Sequence, residues 1–134
     1  MTNDIDVKIF VSHRIDKDSE VLDNPFFIPV RCGAVYDNHA APSTIGDDIG
    51  DNISQKKAKY GELTVQYWAW KNIEADYYGL CHYRRYLSFS SIQHETSYSV
   101  SKDWKEVIHN EVVEDYFDVN SQKKYGLDNP EKIK

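Results

Sequence analysis

An α/β layer with right-handed crossovers is the fold this sequence predicts, and three observations predict it. Val7, Ile9 and Val11 alternate with Lys8, Phe10 and Ser12; Phe26 to Val30 is a short apolar run; and a helical stripe, Leu63, Tyr67, Trp70 and Ile73, precedes a further apolar segment, Tyr77 to Tyr83. Strand, strand, helix and strand in that order are satisfied by helix packed on sheet.

The first element reads as a strand that ends near Ser12 to Arg14, because β-branched and aromatic side chains alternate through it. Arg14 to Asn24 is polar and closes at Pro25, so a loop or short helix is expected. In the second strand Pro29 lacks a ladder donor, which puts it at an edge or a strand end. Arg31 to Asn52 is rich in Gly, Asp, Asn and Pro without a period and predicts a long irregular loop. Asn52 or Ser54 can then cap the helix, whose apolar stripe Leu63, Tyr67, Trp70 and Ile73, flanked by Tyr60 and Ala69, is expected to face the core. Tyr77 to Tyr83 reads as a buried strand with Gly79 allowing close backbone approach. Ser88 to Ser101 predicts a loop. Trp104, Val107, Ile108, Val112 and Tyr116 predict a second amphipathic helix capped by Ser101 or Asp103. Asn120 to Lys134 is charged and shows no clear stop.

The chain has 134 residues, 40% hydrophobic and 28% charged, enough for one core and not for two. It is therefore expected to be a single domain over residues 1–134, with the α/β core in 5–89 and a polar loop plus amphipathic helix in 90–134. The net charge of −6 argues against a dedicated nucleic-acid binder, whose surface is normally basic. Cys32 and Cys81 are the only cysteines, so neither a disulfide framework nor a tetrathiolate zinc site is implied. An acidic start and the lack of a long apolar run predict a soluble, cytoplasmic chain.

Three constellations carry possible chemistry. His82-Tyr83-Arg84-Arg85-Tyr86 ends a predicted strand, where ligands of open α/β sheets bind, and two guanidiniums there can neutralise a phosphate or diphosphate. The competing reading is a surface Arg pair held in local ion pairs. Gly46 to Ser54 opens onto the helix; Asp47, Asp48 and Asp51 would repel bare phosphate, so sugar hydroxyls suit Asp47, Asp51 and Asn52 better, with helix capping as the alternative. Glu62, Thr64, Trp68 and Lys71 lie among the aromatic stripe, as ligand contacts or as a structural ion pair. The strings Asp4-Ile5-Asp6 and Asp16-Lys17-Asp18 are weak metal signals. No P-loop, Gly-x-Gly-x-x-Gly, His-Glu-x-x-His or Cys-x-x-Cys is present.

Gly50-Asp51-Asn52-Ile53-Ser54, Tyr60-x-Glu62-Leu63-Thr64, Tyr67-Trp68-Ala69-Trp70-Lys71-Asn72 and Gly79 to Tyr86, in that order, together resemble the bacterial capsular and exopolysaccharide glycosyltransferase family long catalogued as a domain of unknown function. The likeness runs from about Val7 to Phe89. It implies the N-terminal, donor-binding part of a Rossmann-like type-A glycosyltransferase sandwich. Such an enzyme moves a hexosyl group from a nucleoside diphosphate sugar to a surface polysaccharide, a glycan or lipid-linked glycan, at the inner face of the membrane. On that resemblance Ser12, His13 and Arg14 meet the nucleotide, while Asp47, Asp51, Asn52, Glu62, Thr64, Lys71 and Tyr83 lie near the donor. His82, Arg84 and Arg85 occupy the strand end where related transferases carry Asp-x-Asp and a divalent cation, Mn or Mg. The guanidiniums are expected to do electrostatically what the cation does elsewhere, with the cation as a possible cofactor. Gly61 and Lys57 depart from the family's usual Cys and Asn. Two other readings are a non-catalytic nucleotide-sugar or carbohydrate-binding module, and an interaction domain whose Trp68 and Trp70 pack on a partner.

Overall fold

A computed structural model describes residues 5–17, 21, 24–38, 44–87, 89 and 118–128, and the backbone of 98–101 and 106–109. Two compact units divide the chain, residues 1–87 and 88–133.

In the first unit, β1 (Val7–His13), β2 (Phe27–Arg31), β3 (Ile45–Gly46) and β4 (Tyr77–His82) form one parallel sheet in the order β3-β2-β1-β4. β1 is the hub, pairing with β2 from Ile9↔Phe27 to His13↔Arg31 and with β4 from Val7↔Tyr77 to Ser12↔His82. The register makes β1, β2 and β4 end together, so the residues after each strand share one edge. Pro29 sits opposite Val11, while β3 reaches only Val30 and Arg31. The bonds Ile9 N–H to Phe26 O and Cys32 N–H to His13 O fix the alternation. That alternation turns the missing donor of Pro29 away from β1, to a side where β3 has not begun.

One face of the sheet packs on a helix. A 3-10 turn at Ser54–Lys56 leads into α1 (Lys57–Tyr60), Gly61 at φ 56° breaks the chain, and α2 (Leu63–Asn72) follows. The core joins Phe10, Val30 and Cys32 to Val65, Trp68 and Ala69, with Ile28, Ile73 and Leu80 against it. Phe10 meets Trp68 edge-on at 6.3 Å and stacks on Tyr78 at 6.3 Å.

The face of α2 that turns inward is not the one its apolar stripe predicts. Leu63 is 49% and Trp70 62% exposed, whereas Thr64, Val65, Trp68 and Ala69 are buried. Polar satisfaction accounts for the inversion: the Thr64 hydroxyl donates to Asp47 at 2.6 Å and the Trp68 indole N–H donates to Ile49 O at 2.9 Å, so neither incurs an unpaired-group penalty inside.

Other expectations also change. The Arg31–Asn52 segment contains β3 and a 3-10 turn at Ala34–Tyr36 rather than irregular chain throughout its described part. Ser54 and Asn52 do not cap α2, whose N-cap is Glu62 without a side-chain bond. β4 pairs only with β1 among the described strands and is half-exposed rather than buried. Gly79 does allow close approach, since a Cβ there would stand 3.0 Å from Ile9 Cγ1.

In the second unit, β5 (Tyr98–Ser101) and β6 (Glu106–His109) pair antiparallel from Tyr98↔His109 to Ser101↔Glu106. The expected loop and helix are therefore strands at these positions. A short run such as Val107-Ile108 fits either period, and its β-branched residues favour the extended one. Asp103, Trp104, Val112 and Tyr116 lie outside the described residues. α3 (Val119–Lys124) starts at Asp118, whose carboxylate accepts Ser121 N–H at 2.8 Å. It has a definite stop: Gly126 at φ 73° donates to Lys123 O at 3.2 Å and Leu127 donates to Gln122 O at 2.8 Å, the two bonds of a Schellman close.

Candidate active site

The strand order places a topological switch between β1 and β4: β2 and β3 extend the sheet to one side of β1 and β4 lies on the other. Open parallel sheets bind ligands outside the carboxyl ends of strands at such a switch. At this edge β1 ends in His13 and runs on into Arg14, and β4 is followed by Tyr83-Arg84-Arg85.

These residues are locked together. Tyr83 N–H donates to Ser12 O at 3.0 Å, and Arg85 N–H donates to His82 O at 2.8 Å, which makes the chain turn at once after β4. Arg84 N–H donates to His82 Nδ1 at 3.2 Å. The Tyr83 ring is buried, 4.4 Å from the His82 ring and 5.9 Å from His13, and the Arg84 guanidinium lies over it at 5.2 Å. The Tyr83 hydroxyl lies close enough to Arg14 to favour its charge, yet has no described partner within hydrogen-bonding geometry.

Charge at this edge is mixed but mostly positive. Arg14 is clamped by both oxygens of Asp16, which raises its pKa. Arg84 and Arg85 are exposed and, among the described residues, form no ion pair. Burial lowers the His82 pKa below 6.5, Arg85, Arg84 and Arg14 push the same way, and Glu62 opposes them. Burial and then His82 lower that of His13. Both imidazoles are therefore neutral at pH 7. Cys81 is inert as a nucleophile, because burial and then Glu62 push its thiol up to about 12.

The sequence-derived site residues separate into three groups. Ser12, His13, Arg14, Glu62, His82, Tyr83, Arg84 and Arg85 come together at this edge, with Ser12 contributing its carbonyl. Asp47 and Thr64 turn inward. Asp47 is fully buried and accepts Gly33 N–H and Ala34 N–H at 3.0 Å, Ser54 Oγ–H at 2.6 Å and Thr64 Oγ1–H at 2.6 Å. Four protein donors saturate its carboxylate, so it holds the fold and does not present oxygens to a sugar. Asn52 likewise staples its own loop, donating to Gly50 O at 2.8 Å and Asp48 O at 3.1 Å and accepting Ser54 N–H at 3.2 Å.

Asp51 and Lys71 belong to the other end of α2. Glu62 at its start acts on His82, whereas Ile73 beyond its finish accepts the Tyr78 hydroxyl. Lys71 is about 10 Å along the axis from Thr64 at ~1.5 Å per residue. It rests over Trp70 at 4.0 Å, and Asp51 accepts the Tyr67 hydroxyl at 2.9 Å. Exposed Trp70 and buried Trp68 also divide the pair that an interaction domain would present together.

Sequence reasoning missed Arg31, Asp37 and Gly33. Arg31 ends β2 and is tied to Asp37 at 2.6 Å and to Thr44 O at 3.0 Å. Gly33 follows at φ 68°. The Arg-Cys-Gly order after an apolar run was the available signal.

For a divalent cation the rim is a poor fit. Among the described residues no group of three or more His, Cys, Asp or Glu is placed to hold a metal ion, and two guanidiniums repel one. Asp6 of the first Asp-x-Asp string is bridged to Lys8, and Asp16 of the second to Arg14; Asp4 and Asp18 lie outside the described residues.

Comparison with known proteins follows the same geometry. The family described as a domain of unknown function, DUF4422, matches residues 8–127. The chain belongs to that family. The match extends past Phe89, where the sequence likeness was expected to fade, and takes in both compact units. A solved apo structure of WbbM, a bifunctional glycosyltransferase, is similar at 39% identity and a TM-score of 0.74. The alignment covers 96% of this chain and 20% of that one, so this chain spans about a fifth of the length of its solved relative. No curated protein matches. The family member described here thus has a glycosyltransferase-like α/β domain, and no helix among its described residues is long and apolar enough to cross a membrane.

Proposed function

We propose that this chain is the donor-binding part of a bacterial glycosyltransferase that moves a hexosyl group from a nucleoside diphosphate sugar to a surface polysaccharide, through a glycan or lipid-linked glycan acceptor at the cytoplasmic face of the membrane. The observation that carries this is the pair of guanidiniums, Arg84 and Arg85, which form no ion pair among the described residues and stand at the switch point of a parallel sheet. The likeness to a bifunctional glycosyltransferase supports it.

Transfer breaks the bond between the sugar's anomeric carbon and the β-phosphate oxygen, and negative charge grows on the departing diphosphate. Preorganised cations aimed at that charge stabilise the transition state more than the ground state. Arg84 and Arg85 supply them, as planar forks suited to phosphate oxygens. Neutral His82 accepts the Arg84 N–H and so fixes the turn that presents both. Tyr83 gives Arg84 an aromatic floor, and Arg14, oriented by Asp16, faces the nucleotide from β1.

The test is turnover of uridine and guanosine diphosphate hexoses by the chain and by Arg84→Gln and Arg85→Gln. Each substitution is expected to lower transfer or donor hydrolysis about a hundredfold, as loss of one oxyanion donor does. Full activity in both variants would sink the proposal. A thermal shift with nucleoside diphosphate in the absence of any turnover would favour the binding-module reading instead.

A further inference from the structure

The carboxyl end of β2 lacks the anion receptor usual in α/β folds. Backbone N–H groups in the turn after a strand commonly receive phosphate. Here Asp47 takes the N–H groups of Gly33 and Ala34, and Ser54 Oγ takes that of Val35 at 3.2 Å. These three N–H groups are thus closed to a phosphate, which at this turn would have to be met by a side chain.

One side chain is laid across that turn. A Cβ built on Gly33 would collide with Lys57 Cδ and stand 3.0 Å from its Cγ and 3.1 Å from its Cβ. The Lys57 stem thus runs over the bare Cα of Gly33, in a channel that exists because residue 33 has no side chain. Among the described residues its ammonium has no ion pair; it acts on Asp16 only through space, and both oxygens of Asp16 are already clamped by Arg14. Gly33 follows β2, Arg84 and Arg85 follow β4, and β1 lies between, so the two groups flank the switch point about 10 Å apart at ~4.8 Å per strand.

We propose that Lys57 is a third phosphate-binding cation of this site, reaching the donor's diphosphate from the β2 side across Gly33 while Arg84 and Arg85 hold it from the β4 side. This rests on the functional reading above and adds a residue to it. Lysine suits the place because a compact ammonium on a flexible stem tolerates the varied geometry of a pyrophosphate.

The experiment is calorimetric titration of the full chain with inorganic pyrophosphate and with uridine and guanosine diphosphates, at low and at moderate salt. Lys57→Gln is expected to weaken binding of the diphosphate-containing probes roughly tenfold, the worth of one charge-assisted contact, and to flatten the salt dependence. Lys57→Arg should stay within about threefold of the parent. The thermal midpoint without ligand should be unchanged in both variants, which separates lost contact from lost fold. Parent-like binding by Lys57→Gln, with Arg84→Gln and Arg85→Gln impaired, would overturn the role of Lys57 and leave the site standing. Parent-like binding by all three variants, or none by the parent, would overturn the functional reading with it.

Discussion

Asp47 and the Arg84–Arg85 pair look alike in sequence and have opposite fates in the fold. Both are charged, both lie next to a predicted element boundary, and both suit a polar ligand. Asp47 is buried against four donors drawn from the turn after β2, the 3-10 turn and α2, and its charge is spent on holding those segments together. Arg84 and Arg85 sit on a turn whose backbone is fixed while their guanidiniums remain unbridged among the described residues. A charged group that the protein satisfies itself is architecture; one it leaves unsatisfied at a strand end is available to a ligand.

The sharpest way to break this contrast is at Asp47. Asp47→Ala strands the Gly33 and Ala34 N–H groups and the Ser54 hydroxyl, while the Thr64 hydroxyl can turn to Gly61 O at 3.1 Å. At about 1 kcal/mol for each stranded donor, a loss on the order of 3 kcal/mol in urea denaturation is expected. A change below about 1 kcal/mol would mean that the carboxylate is not structural. At the rim the expectation reverses: Arg84→Gln and Arg85→Gln should leave unfolding free energy within about 0.5 kcal/mol of the parent while transfer collapses. A destabilisation like that of Asp47→Ala would make the arginines architecture too.

The smallest effect concerns pH. His13 and His82 titrate below 6.5 in the fold, burial being the main cause. As pH falls below 6.5 the unfolded chain binds protons first, so stability is fully present above that value and declines as pH drops through the folded pKa values. Thermal midpoints measured from pH 8 to pH 5 should be flat and then fall, and His82→Gln should lessen the fall. A midpoint that rises on acidification would contradict the buried, neutral imidazoles.

Much of the sheet was legible because alternation and apolar runs carry it: β1, β2 and β4 lie where Val7 to Val11, Phe26 to Val30 and Tyr77 to Tyr83 indicate. α2 was legible as an element and misread as a surface. Counting apolar residues assigned Leu63 and Trp70 inward, because the count cannot know that the Thr64 hydroxyl and the Trp68 indole N–H find partners inside. β3 has two residues, too few to show a period. Gly126 after Lys123-Lys124 was a readable stop that the charged tail obscured. Of the candidate site, the stretch His82 to Arg85 could be read because a strand runs into it. Lys57 could not, since its place depends on Gly33, far away in sequence and under it in space.

Pro29 gives the sheet one further property. It presents no donor on the side of β2 away from β1, so a strand added there would forgo one ladder hydrogen bond. The opposite flank, β4, has no proline, lysine or arginine between Tyr77 and His82 to discourage a newcomer. Among the described strands, β4 is therefore the flank better suited to receive a further strand.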